Sequence, residues 1–105
     1  MTTAEIIEEI GIRLSAAVPP RSKVVLFGSQ ARGDAQVGSD FDVLVIESEV
    51  EDRAAESVRL DGELRGLGVA VDVVVLDAET ARRRSVVRGT LVERALREGQ
   101  VLVDS

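Results

Sequence analysis

Three aspartates stand where an unpaired charge is costly. Asp40 and Asp42 flank Phe41 at the head of an apolar run ending at Ile46, and Asp72 interrupts a second apolar run, Val69 to Leu76. Successive residues of an extended strand alternate faces, so Asp40 and Asp42 project to one side, with backbones roughly 6 to 7 Å apart. If the strand of Asp72 pairs with that of Asp42, the third carboxylate joins them. Such a cluster is unfavourable by itself, because desolvation and mutual repulsion oppose ionisation and push the pKa values upward. A divalent cation removes the difficulty. Magnesium prefers hard oxygen ligands and is commonly held by one or two carboxylates together with substrate phosphates. Two such ions, roughly 4 Å apart, would stabilise the attacking and leaving oxygens of an in-line phosphoryl displacement. This chemistry makes Asp40, Asp42 and Asp72 the candidate metal ligands and catalytic carboxylates. A turn or cap role beside Ser39 is the alternative for Asp40.

The Gly28-Ser29 pair follows a short apolar run, Lys23 to Phe27. Glycine there lets backbone N–H groups approach a phosphate, and the serine hydroxyl adds a donor. A plain tight turn is the alternative. Arg32 lies close enough to add charge-assisted hydrogen bonds, unless it is a solvated loop residue.

The composition narrows the chemistry further. The 105 residues contain no Cys and no His, which excludes disulfides, thiol nucleophiles and imidazole catalysis. Two Phe and no Trp or Tyr leave Val, Leu, Ile and Ala to fill the core, and remove the stacking platforms of single-strand binders. A net charge of −6 argues against general binding to nucleic acid. Acidic residues dominate from Glu47 to Glu63, whereas Arg82, Arg83, Arg84, Arg88, Arg94 and Arg97 dominate the segment from 82 to 97. These read as solvated helix faces or, for the basic stretch, as a surface for an anionic ligand or acidic partner. No run approaches the ~20 apolar residues of a membrane span, and the N-terminus lacks a basic region followed by an apolar one. A cytoplasmic location is the resulting expectation.

The elements that must position these residues are visible as patterns. Thr2 and Glu5 have the form of a capping box, followed by Ile6, Ile10 and Leu14 at helical spacing until Pro19 and Pro20. Strands are predicted over Lys23–Phe27, Phe41–Ile46 and Val69–Leu76, with room for one helical turn near Gln30 to Arg32 in the loop between Ser29 and Ser39. A surface helix is predicted over Asp52–Leu64, ended by Gly66 and Gly68. Asp77 caps a helical stretch that breaks near Gly89, resumes through Leu91, Ala95 and Leu96, and stops at Gly99. Val101 to Val103 is an edge strand or a docked tail. The length suits one domain, residues 1–105, of the α/β class: a short mixed sheet flanked by helices.

The segment Val24-Val25-Leu26-Phe27-Gly28-Ser29-Gln30-Ala31-Arg32-Gly33-Asp34, followed by Ser39-Asp40-Phe41-Asp42, resembles the signature of the DNA polymerase beta superfamily of nucleotidyltransferases. Gly28-Ser29, ten intervening residues and Asp40-x-Asp42 match its spacing, and Asp72 in Val71-Asp72-Val73 stands where the family has its third carboxylate. Over nearly its full length the chain is similar to the stand-alone minimal nucleotidyltransferases (MNT), including the closing Leu96-Arg97-Glu98-Gly99. It departs at Val103, where members often carry an aromatic. The resemblance implies the small nucleotidyltransferase fold, ATP as substrate, magnesium as cofactor, and Gly28, Ser29 and Arg32 at the phosphates. It further implies an antitoxin of a toxin-antitoxin system, acting on a HEPN-domain toxin by transferring AMP to a tyrosine hydroxyl. Two other readings stand beside it. One is a binding module that neutralises its partner by occlusion, and the other is a small-molecule nucleotidyltransferase. A homo-oligomer is compatible with all three.

Overall fold

The computed structural model describes residues 1–35 and 38–105. Helix α1 (Thr3–Ala17) opens on the expected capping box: the Glu5 N–H donates to Thr2 Oγ1 at 3.1 Å, and the Thr2 N–H donates to Glu5 Oε1 at 2.9 Å. Such a cap contributes about 0.5–2 kcal/mol. Ile6, Ile10 and Leu14 form its buried stripe, and the helix stops before Pro19 and Pro20.

Strands β1 (Lys23–Phe27), β2 (Phe41–Glu47), β3 (Val71–Asp77) and β4 (Gln100–Asp104) form one sheet in the order β3-β2-β1-β4. β1 runs antiparallel to both β2 and β4, whereas β2 and β3 are parallel. A parallel pair needs a crossover, supplied here by α3 (Arg53–Glu63). The sheet is therefore mixed and flanked by helices, the α/β class that the sequence predicts.

Period-two alternation gives the sheet two apolar faces. Val24, Leu26, Val43, Val45 and Val75 pack against Ile10 and Leu14 of α1 and Leu60 of α3. On the other face Val25, Leu44 and Leu76 pack against Ala81 of α4 (Ala78–Ser85) and against Val92 and Ala95 of α5 (Leu91–Glu98). Helices α3 and α4 begin side by side. Asp77 caps α4 by accepting from the Thr80 N–H and hydroxyl, and Arg53 at the start of α3 donates to both Asp77 and Thr80.

Several expectations are sharpened. Asp52 and Leu64 cap α3 rather than belonging to it, and Asp52 accepts from the Ala55 N–H at 3.0 Å. β3 starts at Val71, two residues later than predicted; before it, the Ala70 carbonyl accepts from the Phe41 N–H. The C-terminal segment is an edge strand on β1, which places Val103 in the first core. Gly99 makes that arrangement possible, because a Cβ there would collide with the Ala95 carbonyl and the Val25 side chain. The helical turn near Gln30 is α2 (Ser29–Arg32). In the predicted loop after it, Gln36 and Val37 lie outside the described residues.

Glu47 corrects the reading of the 47–63 stretch as a solvated acidic face. β2 continues one residue beyond its predicted end, and alternation puts Glu47 on the face of Val43 and Val45, where it is 3% exposed. Burial, together with the adjoining Glu56 carboxylate, pushes its carboxyl up to about 7, so the protonated group donates to Glu56. Arg59 donates to both Glu56 oxygens at 2.7 Å and, with Glu47, holds Glu56 down to about 2. The Arg59 guanidinium also donates to the Ala17 carbonyl at 2.9 Å, tying α3 to the end of α1.

The sign of the linkage follows from these shifts. The Glu47 contribution is complete below the ordinary glutamate value of 4.5 and is lost as pH rises through about 7. The Glu56 contribution is present above 4.5 and is lost only as pH falls through about 2. Glu47→Gln keeps a donor to Glu56 and cannot ionise. Thermal unfolding should therefore show the variant melting at least about 4 °C above the native chain at pH 8.5, and within about 2 °C of it at pH 4, below the ordinary glutamate value. An equal difference at both pH values would contradict the shared proton.

Candidate active site

β1 and β2 end their antiparallel pairing at Phe27 and Asp42, and Gly28 follows at once with φ 78° and ψ −158°. That backbone region is essentially restricted to glycine. The position is also crowded: a Cβ on residue 28 would stand 2.5 Å from Asp42 Oδ2. Gly28 thus lets the chain turn directly over the Asp42 carboxylate. Its carbonyl accepts from the Ala31 and Arg32 N–H groups, which starts α2 at Ser29. The first turn of a helix leaves its leading N–H groups without intrahelical partners, here those of Ser29 and Gln30.

The parallel register of β2 and β3 pairs Asp42 directly with Asp72. Both lie on the face that carries Leu44 and Leu76, beyond the part covered by α4 and α5. Asp42 is half-buried, whereas Asp72 is exposed. The sequence places Asp72 within an apolar strand and so suggests burial. Its exposure has two causes: β3 is an edge strand, and Asp72 is only its second residue, with the helices covering Val74 and Leu76 further along. Asp40 precedes β2 and borders a separate depression with Gln30, Ser39 and Ala70. The Gln30 amide donates to the Ser39 carbonyl at 3.1 Å and holds this loop to α2.

Burial, then the charge of Asp72, then that of Asp40, pushes the Asp42 carboxyl above the usual aspartate range. Among the described residues no three acidic side chains are close enough to form a ready-made ion cage. The donor set nevertheless fits magnesium. It consists of carboxylate oxygens beside open clefts, the mutual repulsion at Asp42 is of the kind a cation relieves, and substrate phosphates commonly complete the shell of this ion.

Asp42 separates two hollows. On one side a cleft of about 390 Å³ is lined by Gly28, Ser29, Arg32, Arg94 and Glu98. On the other a groove of about 560 Å³ runs past Asp72, Ser57, Val58 and Asp61 along the free edge of β3. Phe27 and Leu91 border both. Arg32 is already engaged, 3.2 Å from Asp34 and 3.6 Å from Glu98. Arg94 and Glu98 carry no individual prediction from the sequence. Their signal lies in α5, where Leu91, Arg94, Ala95 and Glu98 recur at the i, i+3, i+4, i+7 spacing of one helix face.

Residues 7–101 match the nucleotidyltransferase domain family, and the chain belongs to that family. Its four-stranded mixed sheet with flanking helices is the small nucleotidyltransferase fold. The fold is similar to a chain of a solved structure, described as the crystal structure of a toxin-antitoxin with AMP-PNP. The TM-score is 0.56 at 23% identity, over 93% of this chain and 73% of that one. No curated protein matches the chain.

Two substitutions separate the close approach at Gly28 from ordinary glycine strain. Gly33 also has positive φ, 80°, but a Cβ there meets nothing within 4 Å. Gly28→Ala and Gly33→Ala should each lower stability in urea by about 1–3 kcal/mol. Only Gly28→Ala should move the carboxyl carbon resonances of Asp42 and Asp72. Unmoved resonances in a folded Gly28→Ala protein would contradict the packing of the turn on Asp42.

Proposed function

We propose that this chain is an MNT-type antitoxin that transfers AMP from ATP to a tyrosine hydroxyl of a HEPN-domain toxin. The observation that carries the reading is the position of Asp42, between a glycine-serine cleft and a groove that contains Asp72. A two-substrate transfer needs donor and acceptor to approach one phosphorus from opposite sides, and the two hollows meet at this residue. The structural likeness to a chain of a toxin-antitoxin with AMP-PNP supports both the nucleotide and the kind of partner.

In this reading the triphosphate occupies the 390 Å³ cleft. The Ser29 hydroxyl and the N–H groups at the start of α2 donate to its oxygens, and Arg32 adds charge once released from Asp34 and Glu98. Exposed ion pairs of that kind contribute about 0–1 kcal/mol, so their release costs little. Asp40, Asp42 and Asp72 would hold magnesium, which when bound neutralises phosphate charge and lowers the pKa of a nearby hydroxyl. The acceptor lies in the β3 groove with its hydroxyl toward Asp72. Its oxygen bonds to the α-phosphorus as the bond to the bridging oxygen of the β-phosphate breaks. Pyrophosphate leaves, and the hydroxyl proton passes to the Asp72 carboxylate.

The exposed apolar side chains at the groove, Val58 and Leu91, favour a protein acceptor over a small polar one. They also suit simple occlusion, in which the partner is blocked without modification. Intact-mass analysis of a HEPN-domain partner incubated with the chain, ATP and magnesium separates the two. Added AMP units are expected, and a partner inhibited at unchanged mass would establish occlusion instead.

Asp42 and Asp72 should divide binding from turnover. Asp42→Asn is expected to abolish magnesium-dependent ATP binding in calorimetry. Asp72→Asn should leave ATP affinity within about tenfold while reducing transfer by about 10² or more. A folded Asp72→Asn protein that transfers at the native rate would remove Asp72 from the mechanism.

A further inference from the structure

Two arginines line the cleft beside Gly28 and Ser29, and they differ in what already holds them. Arg32 is shared between Asp34 and Glu98. Glu98 is met from the other side by Arg97 at 3.3 Å, and Arg97 in turn pairs with Glu93. Arg94 is different: among the described residues its guanidinium makes no ion pair and no side-chain hydrogen bond. Its neighbour Ala95 is fully buried against the sheet, which fixes the orientation of α5 and keeps Arg94 on the cleft wall.

The charge balance of the cleft makes this difference matter. With Arg32 offset by Asp34 and Glu98, and with Asp42 adding a negative charge, Arg94 is the cation in the lining left uncompensated. A polyphosphate entering there would otherwise meet carboxylates. A guanidinium presents a planar fork of N–H donors that matches two phosphate oxygens at once, and a free one loses no existing partner on binding.

We propose that Arg94 is a substrate-binding residue that grips the β- and γ-phosphates of the nucleotide, anchoring the group that will leave as pyrophosphate. The assignment rests on the transferase reading above. Arg94 sits on α5, across the cleft from the Gly28-Ser29 turn, so the triphosphate is clamped between the strand-to-helix turn and the C-terminal helix. The α-phosphate end is left to Asp42. Arg94 therefore discriminates by phosphate count: it rewards a triphosphate and is indifferent to a monophosphate.

Calorimetry in magnesium with a non-hydrolysable ATP analogue and, separately, with AMP tests this on the native chain, Arg94→Ala, Arg94→Lys and Arg82→Ala. Arg94→Ala should weaken the triphosphate analogue by about 10- to 100-fold, the range of hydrogen bonds to a charged group, and leave AMP affinity unchanged. Arg94→Lys should recover only part of the loss, since an ammonium cannot form the fork. Arg82→Ala removes the same charge from α4, outside the cleft lining and from a residue with no ion pair among the described residues, and should bind as the native chain does. Equal weakening by Arg94→Ala and Arg82→Ala would reduce the effect to diffuse electrostatics and overturn the assignment, as would native affinity in Arg94→Ala. If Arg94→Ala binds normally while Asp42→Asn does not bind, the transferase reading stands and Arg94 falls. If the native chain binds no triphosphate, both fall.

Discussion

The parallel register between β2 and β3 sets Asp42 beside Asp72, and the rest of the site is arranged around that juxtaposition. Two carboxylates side by side at a sheet end repel each other, and the repulsion is felt most at Asp42, the more buried of the two. A register slip of one residue would turn one of them to the opposite face. The slip is prevented by the apolar residues that follow: Val43, Val45 and Val75 must enter the first core, while Leu44 and Leu76 must enter the second. The hydrophobic pattern of the strands thus holds in place a charged pair that contributes nothing to the fold by itself.

Coverage of the sheet determines what that pair can reach. On the α1–α3 face the helices bury the strands along their length, and the polar intrusion, Glu47, is accommodated by a proton shared with Glu56. On the opposite face α4 and α5 are short, and they cover Leu44, Val74 and Leu76 but stop before Asp42 and Asp72. The uncovered end of the face becomes two hollows divided by Asp42. The same short α5 brings Arg94 and Glu98 to one wall, and Gly99 lets the chain leave it at once as β4. Economy of length and an open site are the same feature here.

Much of this was legible in the sequence. The Gly28-Ser29 to Asp40-x-Asp42 spacing, the capping box at Thr2 and Glu5, and the two-face alternation of β3 all depend on local geometry, which sequence carries directly. Other features depended on which element lies beside which. The exposure of Asp72 required knowing that β3 is an edge strand. The burial of Glu47 required knowing that α3 lies over the end of β2, since the residue itself belongs to a run of acidic side chains. Arg94 was one of six arginines in a basic stretch, and only the packing of Ala95 selects it for the cleft. The pairing of the C-terminal strand with β1 left no signature beyond three apolar letters.

In the proposed transfer, Asp42 divides a nucleotide cleft from an acceptor groove. The most direct test is a crystal structure of the chain with a non-hydrolysable ATP analogue and manganese, which is located by its anomalous scattering. The triphosphate is expected between Gly28-Ser29 and α5, with manganese at Asp42 and the groove past Asp72 left free for the acceptor. A nucleotide bound along the β3 edge, or manganese placed away from Asp42 and Asp72, would contradict this division.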